Sequence, residues 1–179
     1  MVLSYTLKFY DYWHISSGLS AGAKLDSSVI KDGDGLPYVA GKIIKGLARE
    51  MAELLRDDEF CGEFISECFG EEGVATGKCY FSNAVLDESA AEQIKSNDLI
   101  DNLYDIIAST KIGENGVAED KSLREIEVVI PLSLCGEIRD IPNQKYFEAM
   151  QKSLRMIKRM GLNRNRGLGR CEFVIEGAK

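Results

Sequence analysis

The chain has 179 residues, 45% of them hydrophobic and 28% charged. That is enough to bury one compact core without disulfide staples, and no stretch approaches the roughly 18 apolar residues that a membrane helix needs. The formal charge of −7 disfavours a nucleic-acid ligand only until the charge is located. Residues 149–171 hold no Asp or Glu but carry Lys152, Arg155, Lys158, Arg159, Arg164, Arg166 and Arg170; elsewhere 15 basic residues face 29 acidic ones, a balance of −14. A polyanion would be drawn to one surface of such a molecule and repelled by others.

In chain order, residues 3–9 alternate apolar Leu3, Tyr5, Leu7 and Phe9 with Ser4, Thr6 and Lys8, which predicts a half-buried strand rather than the apolar run of a signal peptide. A Gly/Ser-rich loop follows at 16–22, then a turn at 32–37. Over 42–56, Ile43, Ile44, Leu47, Met51, Leu54 and Leu55 recur at helical spacing and predict an amphipathic helix. A shorter helix is expected around 60–69 and a strand at 78–83, with a weaker helical pattern over 97–107. Residues 112–118 are polar and Gly-broken, as in a loop or hairpin tip, and 126–134 alternates as one long strand in which Pro131 marks an edge or a bulge. Asn143 is the expected cap of a helix reaching Met160 and stopped by Gly161, and 171–175 reads as the last strand. The order is that of a ferredoxin-like (RRM-like) βαββαβ α+β core, with insertions after the first strand and between the central strands.

The five cysteines, Cys61, Cys68, Cys79, Cys135 and Cys171, are odd in number and include no Cys-x-x-Cys pair, and there is one histidine. Reduced thiols in a cytoplasmic protein are expected, and a zinc site is not. The segment GLNRNRGLGR at 161–170 is the feature most suited to an anion: its glycines let backbone amides approach closely and its arginines can fork onto phosphates. It ends in no Gly-Lys-Ser/Thr, lacks Gly-x-Gly-x-x-Gly spacing and leads into a strand, which excludes the nucleotide-binding fingerprints. A second cluster gathers His14, Ser16, Ser17 and Asp26 with Lys42, Lys45 and Arg49, and the βαββαβ order allows both basic features to line one groove.

Five landmarks in order, HISSG at 14–18, KLDSSVIKD at 24–32, GLPYVAGKIIKGLAR at 35–49, CFG at 68–70 with GKCYFSNA at 77–84, and the glycine loop, resemble the RAMP superfamily of CRISPR-associated proteins. The nearest resemblance is to the backbone subunit of type III effector complexes. It implies a single domain over 1–179 with a thumb-like insertion near 108–124, a cytoplasmic setting, and guide RNA, target RNA, copies of itself and other effector subunits as partners, with no membrane. It implies that Asp26 is the residue needed to cut guide-paired target RNA, through a divalent metal such as Mg2+ that it helps hold or by activating the neighbouring 2′-hydroxyl. His14, Ser16, Ser17, Lys42, Lys45, Arg49, Arg164, Arg166, Gly167, Gly169 and Arg170 are the implied RNA contacts, and Ile112 or Val117 the apolar wedge of the thumb. The alternatives are the same scaffold without catalysis, a guide-processing ribonuclease using His14 as general base, and a ferredoxin-like module with no nucleic-acid role.

Overall fold

The computed structural model describes residues 1–18, 25–55, 58–71 and 73–175. Part of the Gly/Ser-rich loop (19–22), Lys24 of the KLDSSVIKD motif, Arg56 and the side chain of Cys61 lie outside the described residues. The chain runs β1 (Leu3–Phe9), α1 (Gly41–Ala52), α2 (Asp58–Phe69), β2 (Gly70–Glu71), β3 (Ala75–Thr76), β4 (Tyr80–Phe81), α3 (Glu88–Ser96), β5 (Tyr104–Ser109), β6 (Arg124–Val129), β7 (Ser133–Arg139), α4 (Gln144–Met156) and β8 (Cys171–Ile175).

Strands β4, β7, β1 and β8 form one antiparallel sheet in that order, with Leu7 opposite Leu134 and Phe173. Taken in chain order with α1 and α4 between them, these strands have the ferredoxin-like βαββαβ topology. The period-2 pattern of β1 sends Leu3, Tyr5, Leu7 and Phe9 to the buried face, where Ile44 and Ala48 of α1 and Phe147, Met150 and Leu154 of α4 complete the core. Helices α1 and α4 also pack on each other. The expected insertions are present, and a further one, α2 with the β2–β3 hairpin, separates α1 from β4.

Four expected boundaries are corrected. Helix α1 ends at Ala52 in a turn, Leu54 and Leu55 donating to the Met51 and Ala52 carbonyls, which leaves Leu54 57% exposed while Leu55 still packs on the core. The helix expected over 97–107 lies at 88–96 instead. Asp87 caps it by accepting from the Ser89 amide at 3.1 Å, Asp98 at φ 55° ends it, and 104–109 becomes a strand because β6 pairs with it. The single strand over 126–134 is two: Pro131 cannot donate to a ladder, so β6 stays with the β5–β6 hairpin while β7 joins the main sheet. Helix α4 stops at Met156 because residues 157–160 extend and pair with the chain before β8, Cys171 donating to the Lys158 carbonyl at 2.9 Å. Ile157 and Met160 remain buried, which explains why the apolar stripe ran past the helix.

The cap expected at Asn143 is present, its side chain accepting from the Tyr146 amide at 2.8 Å. Asn143→Ala is expected to lower stability by about 1 kcal/mol, read as a drop in the midpoint of chemical denaturation with an unchanged slope.

Candidate nucleic-acid interface

The site is organised by residues 10–17, which leave β1 as an extended thread and bond to a different neighbour on each side. On one side the glycine loop is attached: Tyr10 donates to Arg170 O at 2.9 Å, Gly169 to Tyr12 O at 2.8 Å and Leu162 to His14 O at 2.9 Å. On the other side Trp13 exchanges two backbone bonds with Val129 of β6, at 3.0 and 2.8 Å. Ile30 donates to Ile15 O at 2.9 Å and Ser17 to Ser28 O at 3.1 Å. Trp13 is buried and stacked on Phe9 with ring centroids 4.4 Å apart, so the thread is anchored in the core between its two attachments.

Asp26 stands on the second side, exposed, and is tied twice to the root of the β5–β6 hairpin. Its amide donates to Glu125 O at 2.9 Å, and its Oδ2 accepts from the Glu125 amide at 2.8 Å. The other carboxylate oxygen has no hydrogen-bond partner among the described residues. Ser27 bridges to Ile126 and accepts from the Glu127 amide at 3.1 Å. Glu127 in turn accepts from the Val29 amide at 3.0 Å and from Lys31 at 2.8 Å, while Lys31 lies 3.8 Å over the Tyr104 ring. The hairpin tip, where Ile112 bridges to Ala118, carries the exposed apolar side chains Ile112 and Val117. Ile106 and Leu123, on the same hairpin and also exposed, were not singled out by the sequence pattern because isolated apolar residues in a polar run carry no periodicity.

The glycine loop owes its composition to packing as much as to access. Gly161 and Gly169 sit at φ 89° and 70°, and a Cβ on either would overlap a backbone carbonyl, that of His14 or of Met160. Gly167, at φ 96°, faces open space. Arg164 and Arg166 are exposed on this loop, and Arg170 pairs with Asp11 at 3.3 Å. Beside them lies an open groove of about 410 Å³ lined by Tyr10, Lys158, Arg159, Arg170, Cys171 and Glu172. Lys158 and Arg159 enter this surface through the 157–160 pairing and Tyr10 through its bond to the Arg170 carbonyl, both supplied only by the tertiary structure. The Tyr10 hydroxyl is held above its ordinary pKa by its 2.6 Å bond to Glu172, and burial pushes the Cys171 thiol up to about 12.

Lys42, Lys45 and Arg49 occupy a different groove, also about 410 Å³, whose other wall is formed by Phe69–Glu71 and Ala75–Gly77. None of its lining residues belongs to the glycine loop or to residues 14–17. Arg49 is partly committed, donating to Gly70 O at 3.2 Å and pairing with Glu53 at 3.1 Å.

His14 is corrected more sharply. Its ring is fully buried, with Nδ1 2.5 Å from Glu127 O and Nε2 3.0 Å from Ser27 Oγ, so it presents no free nitrogen to a guide or to a ribose hydroxyl. Ser16 is exposed and Ser17 half-buried, at the rim of the same loop. Among the described residues no group of three His, Cys, Asp or Glu side chains gathers to hold a metal. Asp26 alone still fits the way Mg2+ is bound in phosphate chemistry, through one or two carboxylates completed by substrate oxygens and water. The cysteines form no disulfide where described, but Cys68 and Cys79 meet in the core, and the hydrogen bond between their thiols raises the pKa of the first and lowers that of the second.

A ferredoxin-like sheet with a glycine-rich loop bound back onto the exit of its first strand places this chain in a defined class of α+β proteins. A sequence model of the RAMP superfamily matches residues 6–172, and the chain belongs to that superfamily. The fold is shared with chains of type III-B Cmr-beta complexes solved by cryo-electron microscopy. One, from the complex bound to cognate target RNA, superposes with a TM-score of 0.75 at 11% identity; another, from the apo state, with 0.70 at 12%. Each alignment covers 98% of this chain and 97% of the other. No curated protein matches the sequence. Among the described residues no helix is long and apolar enough to cross a membrane.

Proposed function

We propose that this chain is a guide-RNA-binding backbone subunit of a type III CRISPR effector complex and that Asp26 cuts target RNA paired to the guide. The observation that carries the reading is the exposed Asp26 carboxylate, fixed to the root of a hairpin with an apolar tip and joined through residues 10–17 to an arginine-bearing glycine loop. Membership of the RAMP superfamily and the fold shared with a Cmr-beta chain from a complex bound to cognate target RNA support it.

Arg164, Arg166 and Arg170 with the open amide face at Gly167 hold guide phosphates, Ser16 and Ser17 border them, and Lys42 and Lys45 take a further stretch of backbone. The hairpin acts as a thumb, its Ile112 and Val117 side chains inserted between nucleotides of the duplex. The free oxygen of Asp26 accepts the hydrogen of the 2′-hydroxyl next to the scissile phosphate, preparing that oxygen to attack phosphorus as the 5′-oxygen leaves. Alternatively, that oxygen of Asp26 would serve as the protein ligand of a divalent ion, which would supply neutralisation of charge on the phosphate.

Co-expression with a guide locus tests the reading: the purified complex should contain guide RNA and cut a labelled complementary RNA. A complex that carries the guide and never cuts would leave the scaffold without the catalysis. Protein free of RNA at low salt would remove the nucleic-acid role altogether. Reversing Arg164 and Arg166 to Glu should weaken guide retention and lower the slope of log affinity against log salt by roughly 0.7 for each phosphate no longer neutralised, measured by filter binding across a salt series.

A further inference from the structure

We propose that His14 is a positioning residue for Asp26, an internal bolt that fastens the segment carrying the carboxylate to the root of the β5–β6 hairpin; the inference rests on the role given to Asp26 above. The proton positions follow from the partners. The Glu127 carbonyl, 2.5 Å from Nδ1, can only accept, so Nδ1 carries the hydrogen, and in the tautomer with its one hydrogen there Nε2 is bare. Ser27 Oγ, 3.0 Å from Nε2, therefore donates to it. Ser16 Oγ, 3.3 Å from Ser27 Oγ, donates in turn, and receives the Gly18 amide at 3.0 Å. One directed chain thus runs from the Gly18 amide through Ser16, Ser27 and His14 to the hairpin backbone.

Residues 26 and 27 are consequently clasped to 125–127 by the two Asp26–Glu125 bonds, by the Glu127 amide on Ser27 O, and by the buried ring. The ring is fully buried, and a buried polar group stays only where its partners are satisfied, as both nitrogens are here. It touches neither RNA nor the reacting atoms. Its contribution is that hairpin and carboxylate move as one body, so that seating the hairpin in a duplex fixes the carboxylate against that duplex. A misplacement of about 1 Å costs on the order of a hundredfold in rate, and groups that orient a reacting ligand are typically worth 10- to 100-fold.

The test uses the guide-loaded complex. His14→Ala is expected to slow single-turnover cutting of complementary RNA by roughly 10- to 100-fold. Ser27→Ala, which removes one hydroxyl from a partly exposed side chain, is expected to slow it by about tenfold. Guide content and half-saturating target concentration should stay within about twofold of the unaltered complex. His14→Asn, whose amide can still donate to Glu127 O, should recover part of the rate. Loss of guide in proportion to loss of cutting would overturn the proposal, as would unchanged cutting in both alanine variants beside an inactive Asp26→Ala.

Because His14 is the one histidine of the chain, 15N-imidazole spectra of the intact protein report a single ring independently of cutting. A protonated Nδ1 and a bare Nε2 are expected, with Ser27→Ala moving the Nε2 resonance; the opposite tautomer would overturn the clasp even if Asp26 proved catalytic. If Asp26→Ala cut normally, the catalytic reading would fall on its own, and the tautomer would still decide the clasp.

Discussion

Asp26→Ala in the guide-loaded complex is expected to abolish cutting of complementary RNA, with a loss of at least roughly a thousandfold, while guide content stays unchanged. The magnitude is the upper part of the 10²- to 10⁴-fold range for a positioned proton-transfer group. The separation from folding follows from the local structure. Asp26 is exposed, its backbone bond to Glu125 O does not depend on its side chain, and Ser27 holds the next residue to β6. What alanine removes structurally is the Oδ2 bond to the Glu125 amide, worth about 1 kcal/mol.

Asp26→Asn is the sharper variant, because an amide oxygen can still accept from Glu125 while the charge is gone. It should be as inactive as alanine in a single-turnover assay with quantified guide. An asparagine variant that cuts at the unaltered rate would show that the carboxylate charge is not needed.

Gly169→Ala is expected to have the largest effect on the fold. The left-handed backbone at φ 70° costs about 1–2 kcal/mol for a residue with a Cβ, and that Cβ would also overlap the Met160 carbonyl, to which no flexible side chain can yield. A total near 3 kcal/mol corresponds to a fall in Tm of roughly 6–12 °C for a chain of this size. The strain falls where the Met160 amide bonds Gly169 O at 3.0 Å and the Gly169 amide bonds Tyr12 O at 2.8 Å, so the glycine loop should detach and guide retention fall with it. Gly167→Ala is the control: the backbone is equally left-handed but the Cβ meets nothing within 4 Å, so only the conformational cost of about 1–2 kcal/mol should appear. Equal melting shifts in the two variants would remove close packing as the reason for Gly169.

Alternation along 3–9 and 171–175 made the buried face of central strand β1 and of edge strand β8 legible in the sequence, because a period of two leaves one register once one face is covered. Apolar spacing in α1 and the Asn143 cap were equally local signals, and so was the run of seven basic residues with no Asp or Glu among them. The motif order that led to the superfamily was likewise in the sequence, and the match over residues 6–172 bears it out.

Apart from the early end of α1, the elements that differ from expectation share one cause, that pairing partners far along the chain outweigh local propensity. Residues 104–109 form a strand because β6 lies beside them, 126–134 divides because its two halves serve different sheets, and 157–160 leaves the helix to meet 169–171. The site shows the same division. Sequence alone pointed to His14, Asp26 and the glycine loop by residue type and order. Only the tertiary structure decided that residues 10–17 thread between that loop and the hairpin, that Lys42 and Lys45 share a groove with residues 69–71 and 75–77, and that the histidine is buried while the aspartate is exposed. Burial and hydrogen-bond partners depend on segments more than a hundred residues apart, such as His14 and Glu127, and no local pattern encodes them.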